Sequence, residues 1–330
     1  MITELPPSGA ACTDAERRAA VALHDDLRTD GHEAWLETVW VRPQDDWSRG
    51  LHALLAVIAS LLSPSEPIAG AALAGIVLLS LGLETAGLPG LLRLLFFRRA
   101  TQLVLVEADD PDAVALWIVA RTDVPRRGTL ANRLRGRIAA ALVPGPGAWL
   151  MLAVAVVAAT AGARIAGVDD SALGIVQFIP TVALVLVVAA ALDTAAGPRA
   201  APDGALAAAR QLHAELVSHP PRHVSAALVL AGARPHGLRA HLRRERPDPA
   251  ATVILELRAT ADDDVPPVLV SRHGQLRRAA EAAGVPFAGG AGPSRRLPSA
   301  TLAGSSAELL DAALAVTDEL DAQLGEAENV

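Results

Sequence analysis

Residues 148–192 read AWLMLAVAVVAATAGARIAGVDDSALGIVQFIPTVALVLVVAAAL. Two apolar runs, 148–163 and 174–192, face each other across a short polar connector, GVDD at 167–170. A membrane-spanning helix needs about 20 residues, with a usable range of about 17–25. The later run meets that length outright, and the earlier one meets it by extending toward Gly167. Pro180 is expected to kink the second helix, a defect that neighbouring helices can accommodate. The pattern predicts a helical hairpin long enough to cross a bilayer.

A second window lies upstream. LHALLAVIASLL (51–62) is stopped by Pro64 and Pro67, and IAGAALAGIVLLSLGL (68–83) follows. Apolar stretches of about 10–14 residues also occur as buried core helices; the spanning reading is preferred here. Trp47 and Trp149 stand near the starts of the two windows, where interfacial aromatics are common.

Arginine sets the expected orientation. The connectors 63–67 and 167–170 carry no basic residue, whereas Arg93, Arg98, Arg99, Arg126, Arg127, Arg133, Arg135 and Arg137 lie on the other side. The positive-inside rule then places those stretches and both termini in the cytoplasm of a multi-pass plasma-membrane protein. Arg164 runs against the trend and is expected to pair with Asp169 or Asp170. LPGLLRLLFFRR (88–99) is expected to lie on the inner membrane surface, its arginines near acidic headgroups.

Composition agrees with a lipid-covered segment. The 330-residue chain is 52% hydrophobic and only 20% charged, against about 45–50% and about 25% in ordinary soluble domains. A net charge of −7 gives no support to nucleic-acid binding. The basic residues are all arginine and tyrosine is absent, which fits coding bias. Lone Cys12 excludes an internal disulfide and a cysteine-based zinc site. MITELPPSGAACTDAERR has no basic n-region before an apolar run, so no cleavable signal peptide is expected.

Outside the apolar windows, strands and helices alternate. A helix over 13–27, capped by Thr13 or Asp14, precedes a strand at 37–41. QLVLVE (102–107) and VALWIVA (114–120) read as buried strands. Then come a helix (204–217), a strand (225–231), a helix (238–244), strands at 252–257 and 265–270, and helices at 275–283 and 306–324. GGAGPS (289–294) reads as a flexible loop. The expected fold is α/β: a mostly parallel sheet covered by helices and interrupted by two transmembrane hairpins. The segments divide as 1–47 (helix and strand), 48–86 (first hairpin), 87–147 (first part of the α/β domain), 148–192 (second hairpin) and 193–330 (the remainder).

Four strand or loop ends carry a resemblance: IVARTD (118–123), APDGALAAARQL (201–212), GARPHG (232–237) and ELR (256–258). Their order resembles the zinc-dependent aminopeptidases and glutamate-carboxypeptidase-like enzymes of metallopeptidase family 28, especially bacterial members with interleaved membrane helices. The likeness covers most of 100–330 apart from the second hairpin. It implies that Arg121 stands at a histidine-ligand position, with Asp123 retained beside it. Asp203 stands at a bridging aspartate, and Arg234 and Pro235 at the general base and a ligand. Glu256, Leu257 and Arg258 match an N-L-D pattern, which puts arginine in the carboxylate position. The last histidine of the family has no match between Pro286 and Ser306.

Arginine stays protonated in proteins and does not ligate zinc, whereas a dizinc site needs several anionic or imidazole ligands. The resemblance therefore implies a degenerate, metal-free relative without catalytic residues, binding zinc only in an alternative, rearranged site around Asp123, Asp203, His236 and Glu256. Asp203 also reads as the cap of the following helix, the favoured role. The arginines could form an anion cleft; pairing with Asp123, Asp203 and Glu256 is preferred. His236 and His241 lack i, i+4 spacing and are expected at the surface. The expected role is binding or assembly, with the bilayer and a membrane protein or a second copy as partners. A transporter ranks last, because the spans hold almost no ionisable residue.

Overall fold

The structure is a computed structural model that describes residues 9–86, 88–124, 128–130, 146–168, 170–197, 204–233, 235–260, 265–290, 292–294 and 296–328. The chain divides into two compact units. One comprises Met1–Pro43, Arg99–Pro125 and Ala201–Val330; the other comprises Gln44–Arg98 and Arg126–Ala200.

The first unit is an eight-stranded mixed sheet with helices on both faces. Its strands are β1 (Ala34–Val41), β2 (Arg99–Val106), β3 (Val114–Arg121), β4 (Val224–Ala231), β5 (Thr252–Ala259), β6 (Val268–Ser271), β7 (Phe287–Gly289) and β8 (Ser299–Gly304). They lie in the order β1-β2-β4-β3-β5-β8-β6-β7. The centre, β4-β3-β5-β8, is parallel. Antiparallel pairings join β1 to β2, β2 to β4 and β6 to β8, so the sheet is mixed where a mostly parallel one was expected.

Alternation along the strands sorts the core into two layers. One layer holds Leu116, Ile118, Leu228, Leu230 and Leu255 under α1 (Asp14–Thr29), α6 (Ala205–Ser218), α8 (Gly274–Ala282) and α9 (Leu309–Glu328). The other holds Val39, Leu103, Val119, Val229 and Ile254 under α7 (His236–Glu245). Strands β7 and β8 lie outside the sequence expectation. SATLAG (299–304) is short and half polar, yet it sits between β5 and β6, its Ser299 and Ala300 fully buried.

The second unit is built from α2 (Asp45–Leu62), α3 (Pro67–Thr85), α4 (Pro146–Ile165) and α5 (Ser171–Ala196). Pro67 occupies the first turn of α3, where a missing amide costs nothing, and α5 continues through Pro180. Among the described residues three helices are long and apolar enough to cross a membrane, Pro67–Thr85, Ala148–Ile165 and Ser171–Ala196; α2, expected as the first arm of the upstream hairpin, is not one of them and carries Asp45, Asp46 and Arg49. Segment 88–99 forms a 3-10 turn (Leu92–Leu95) and then enters β2 at Arg99, in place of an amphipathic helix; Leu92 is buried while Leu94, Leu95 and Phe97 are exposed.

Side chains of α2 and α5 are sorted largely against the rule for water, whereas α3 and α4 bury Val77, Leu81, Leu150, Val154 and Val157. The buried residues of α5 are Gln177, Pro180, Leu184 and Thr194, whereas Ile175, Phe178 and Ile179 are 68%, 66% and 69% exposed. The inward face of α2 carries Ser48, His52, Ala53, Ala56, Ala59 and Ser60, and Leu54, Ile58 and Leu61 point outward. A helix in water buries its large apolar face. On α2 and α5 mainly small and polar residues face inward instead. Gly70 makes the close approach possible: a Cβ there would stand 2.8 Å from the Ala59 carbonyl oxygen.

One polar cluster inside the bundle is internally bonded, although Arg164 Nε and Trp149 Nε1 are buried without a hydrogen-bond partner among the described residues. Gln177 Nε2 donates to the Ser60 carbonyl and hydroxyl oxygens, and Arg164 donates to Gln177 Oε1 and, at 2.7 Å, to Ser63 Oγ. Arg164 thus bonds inside the unit. Of the two partners expected for it, Asp170 caps α5 through the Ala172 amide, and Asp169 lies outside the described residues.

Candidate functional site

The parallel strands β3, β4 and β5 end together, and open α/β sheets bind their ligands at such carboxyl ends. Val119 is level with Glu256 across β3 and β5. Arg121 and Arg258, each two residues further on, therefore end their strands on one face, that of Val119 and Ile254. Asp123 follows in the turn after β3 and is buried.

Each guanidinium is held by a carboxylate of its own segment. Arg121 Nη2 lies 2.8 Å from Asp123 Oδ2, with Nε–Oδ1 at 3.4 Å. Arg258 Nη2 lies 2.9 Å from Glu256 Oε1. The carboxylates are covered, Asp123 at 4% and Glu256 at 2% side-chain exposure, whereas Arg258 reaches outward at 57%. Buried carboxylates require compensation of this kind. Pro235 takes the N-cap position of α7. Asp203 and Arg234, the remaining expected positions, lie outside the described residues.

A second carboxylate stands near Asp123. Glu16, in the first turn of α1, is 1% exposed and accepts hydrogen bonds from the Cys12 amide and the Thr101 hydroxyl. Burial pushes its pKa up, and the charge on Asp123 adds to that effect. Burial, followed by the charge of Glu16, also lifts the Cys12 thiol to about 12, which leaves it an unreactive neutral group. Gly232, directly after β4, makes room for this knot: a Cβ there would fall 1.8 Å from Glu16 Oε1. The Thr13-x-x-Glu16 spacing signals a capping box. The Thr13 hydroxyl accepts from the Glu16 amide, but the Glu16 carboxylate turns toward Cys12 and Thr101.

A third polar cluster lies under α7. His241 is buried, contrary to the expectation of a surface residue. Its Nδ1 is 2.5 Å from Glu37 Oε2, and its ring packs on Trp117 at 5.2 Å between centroids. Arg244 Nη1 takes the other Glu37 oxygen at 2.9 Å. Glu37, His241 and Glu245 bring ligand-type atoms within 4.8 Å of one another. A guanidinium already on Glu37 opposes a divalent cation there, so the cluster reads as a buried ion pair. Glu37 and His241 are 204 residues apart in sequence, and no motif joins them.

The fit to a zinc pair follows from the donor set. Among the described residues at the strand ends, two carboxylates are each neutralised by arginine and no imidazole joins them, which does not fit two divalent cations. His236 lies at the start of α7, and Glu256 faces Arg258.

No protein-family model matches the chain, and no curated protein does. Two solved structures of BSAP, a zinc aminopeptidase from Bacillus subtilis, are similar. One has a TM-score of 0.41 at 9% identity and covers 97% of this chain and 91% of that one. The other has a TM-score of 0.38 at 8% identity and covers 98% and 92%. The chemistry of the site rests on the residues described above.

Proposed function

We propose that this chain is an integral membrane protein whose α/β unit faces the cytoplasm and acts by binding or assembly, without hydrolysis. The observation that carries this reading is the closure of the strand ends by Arg121–Asp123 and Arg258–Glu256. Activating a water at neutral pH needs a metal or an unencumbered base. Here the two strand-end carboxylates are already committed to cations that cannot give up a proton. The inverted sorting of α2 and α5 supports the membrane half of the reading, because Ile175, Phe178 and Ile179 would otherwise stand in water.

Reconstitution of the full chain into vesicles tests both halves. Resistance to alkaline extraction, protection of the 63–67 and 167–170 connectors from protease added on the cytoplasmic side, and no cleavage of aminoacyl substrates with added zinc are the expected results. Turnover that scales with protein and is lost in Asp123→Asn would replace this reading with a rearranged metallopeptidase.

A further inference from the structure

We propose that the cavity at the carboxyl ends of β6 and β7 binds the phosphate group of a small organic anion. The two strands are parallel, with Ser271 level with Gly289, and α8 makes the crossover between them. Ligands of α/β units sit outside the carboxyl ends of parallel strands. A cavity of about 430 Å³ opens there, within the size range of small-molecule sites. Because β6 runs antiparallel to β8, while β5 and β3 run parallel to it, this cavity lies at the opposite sheet end from Arg121 and Arg258.

Its lining is cationic. Arg272 and His273 follow β6, and Arg277 comes from the start of α8. Arg272 has no acidic partner among the described residues. Among the described residues Arg277 reaches only the exposed Glu281, at 3.6 Å. Guanidinium groups match phosphate oxygens in a planar, forked geometry. His273 caps α8 with backbone alone, so the first-turn amides add to a field the arginines already set. The glycines leave the space open: a Cβ on Gly274 or Gly289 would meet no atom within 4 Å. Phe287 supplies an apolar wall, which favours an organic phosphate over the bare ion.

Calorimetric titration of the full-length protein in detergent, with inorganic phosphate and phenyl phosphate, tests the site. Saturable, salt-sensitive binding is expected, tighter for phenyl phosphate and at least about tenfold weaker in Arg272→Gln or Arg277→Gln. Gly289→Leu, which keeps both arginines, is expected to block it, and Arg17→Gln on α1 to leave it intact. A second arm repeats the titration in phosphatidylcholine nanodiscs with and without phosphatidic acid. Competition by that lipid identifies a headgroup as the phosphate source, and its absence a soluble ligand. Lack of saturable binding by either probe, or an equal loss in Arg17→Gln, overturns the proposal.

Discussion

Arg121 grips Asp123 two residues further along the chain through two nitrogens, with the carboxylate almost wholly covered and the guanidinium partly in solvent. The pair is local in sequence, so it forms wherever β3 ends and needs no ligand to complete it. Arg258 and Glu256 repeat the device on the neighbouring strand. A site assembled this way is electrically closed. Its chemistry differs in kind from that of a cluster of free carboxylates awaiting a metal.

Removing one partner exposes how much the pair matters. Arg121→Leu leaves Asp123 buried without its counter-charge and is expected to cost about 2–4 kcal/mol, somewhat below a fully buried pair because Arg121 is partly exposed. The double variant Arg121→Leu/Asp123→Leu is expected to recover most of that loss. Denaturant unfolding of the two variants checks the coupling.

Gly232→Ala is expected to destabilise the α/β unit by about 1–3 kcal/mol, because the new methyl overlaps Glu16 Oε1 and the Thr101 hydroxyl. Both groups are fixed by hydrogen bonds, so neither yields cheaply. Thermal melting of Gly232→Ala beside Gly31→Ala, at an open turn with a φ of +93°, separates steric overlap from backbone strain.

His213 sets an acid limit. It is 1% exposed, its Nε2 has no hydrogen-bond partner among the described residues, and burial together with the nearby His32 lowers its pKa from 6.5 to about 4. The unfolded chain therefore binds a proton that the folded chain refuses between those values. Stability falls as pH drops through about 6.5 and levels off below about 4, a total of roughly 3 kcal/mol. His213→Leu is expected to flatten that part of the stability–pH profile without lowering stability at neutral pH.

The bundle has its own sensitive point. Gly70→Leu would press a side chain against the Ala59 carbonyl and the Ser63 backbone, and is expected to separate α2 from α3 at a cost of about 1–3 kcal/mol. Gln177→Leu would remove one of the two acceptors of Arg164, leaving Ser63 Oγ, and the donor to Ser60. Tryptophan fluorescence during titration with a denaturing detergent reads both effects.

Much of this architecture is legible in sequence because it depends on local pattern. The runs at 148–192 announce α4 and α5, and the β-branched stretches around Val119, Val229 and Ile254 announce the central strands. Strand β8 escapes notice because its burial is imposed by β5 and β6, not by its own composition; Ser299 and Thr301 are as covered as its alanines. The pairs at Arg121 and Arg258 are legible for the same reason the helices are: partner and residue are two apart. The Glu16–Thr101 and Glu37–His241 contacts join distant segments, and only the fold brings them together. Glu16 carries a partial signal, since Thr13-x-x-Glu16 marks a helix start, but its carboxylate serves a different partner than that motif predicts.

Zinc titration of the full-length protein against an Arg121→His/Arg258→Asp variant, with bound metal counted by mass spectrometry, addresses the closed site most directly. Wild-type protein is predicted to retain far less than stoichiometric zinc, with the variant binding more. Near-stoichiometric, tightly held zinc in the wild type would contradict the account.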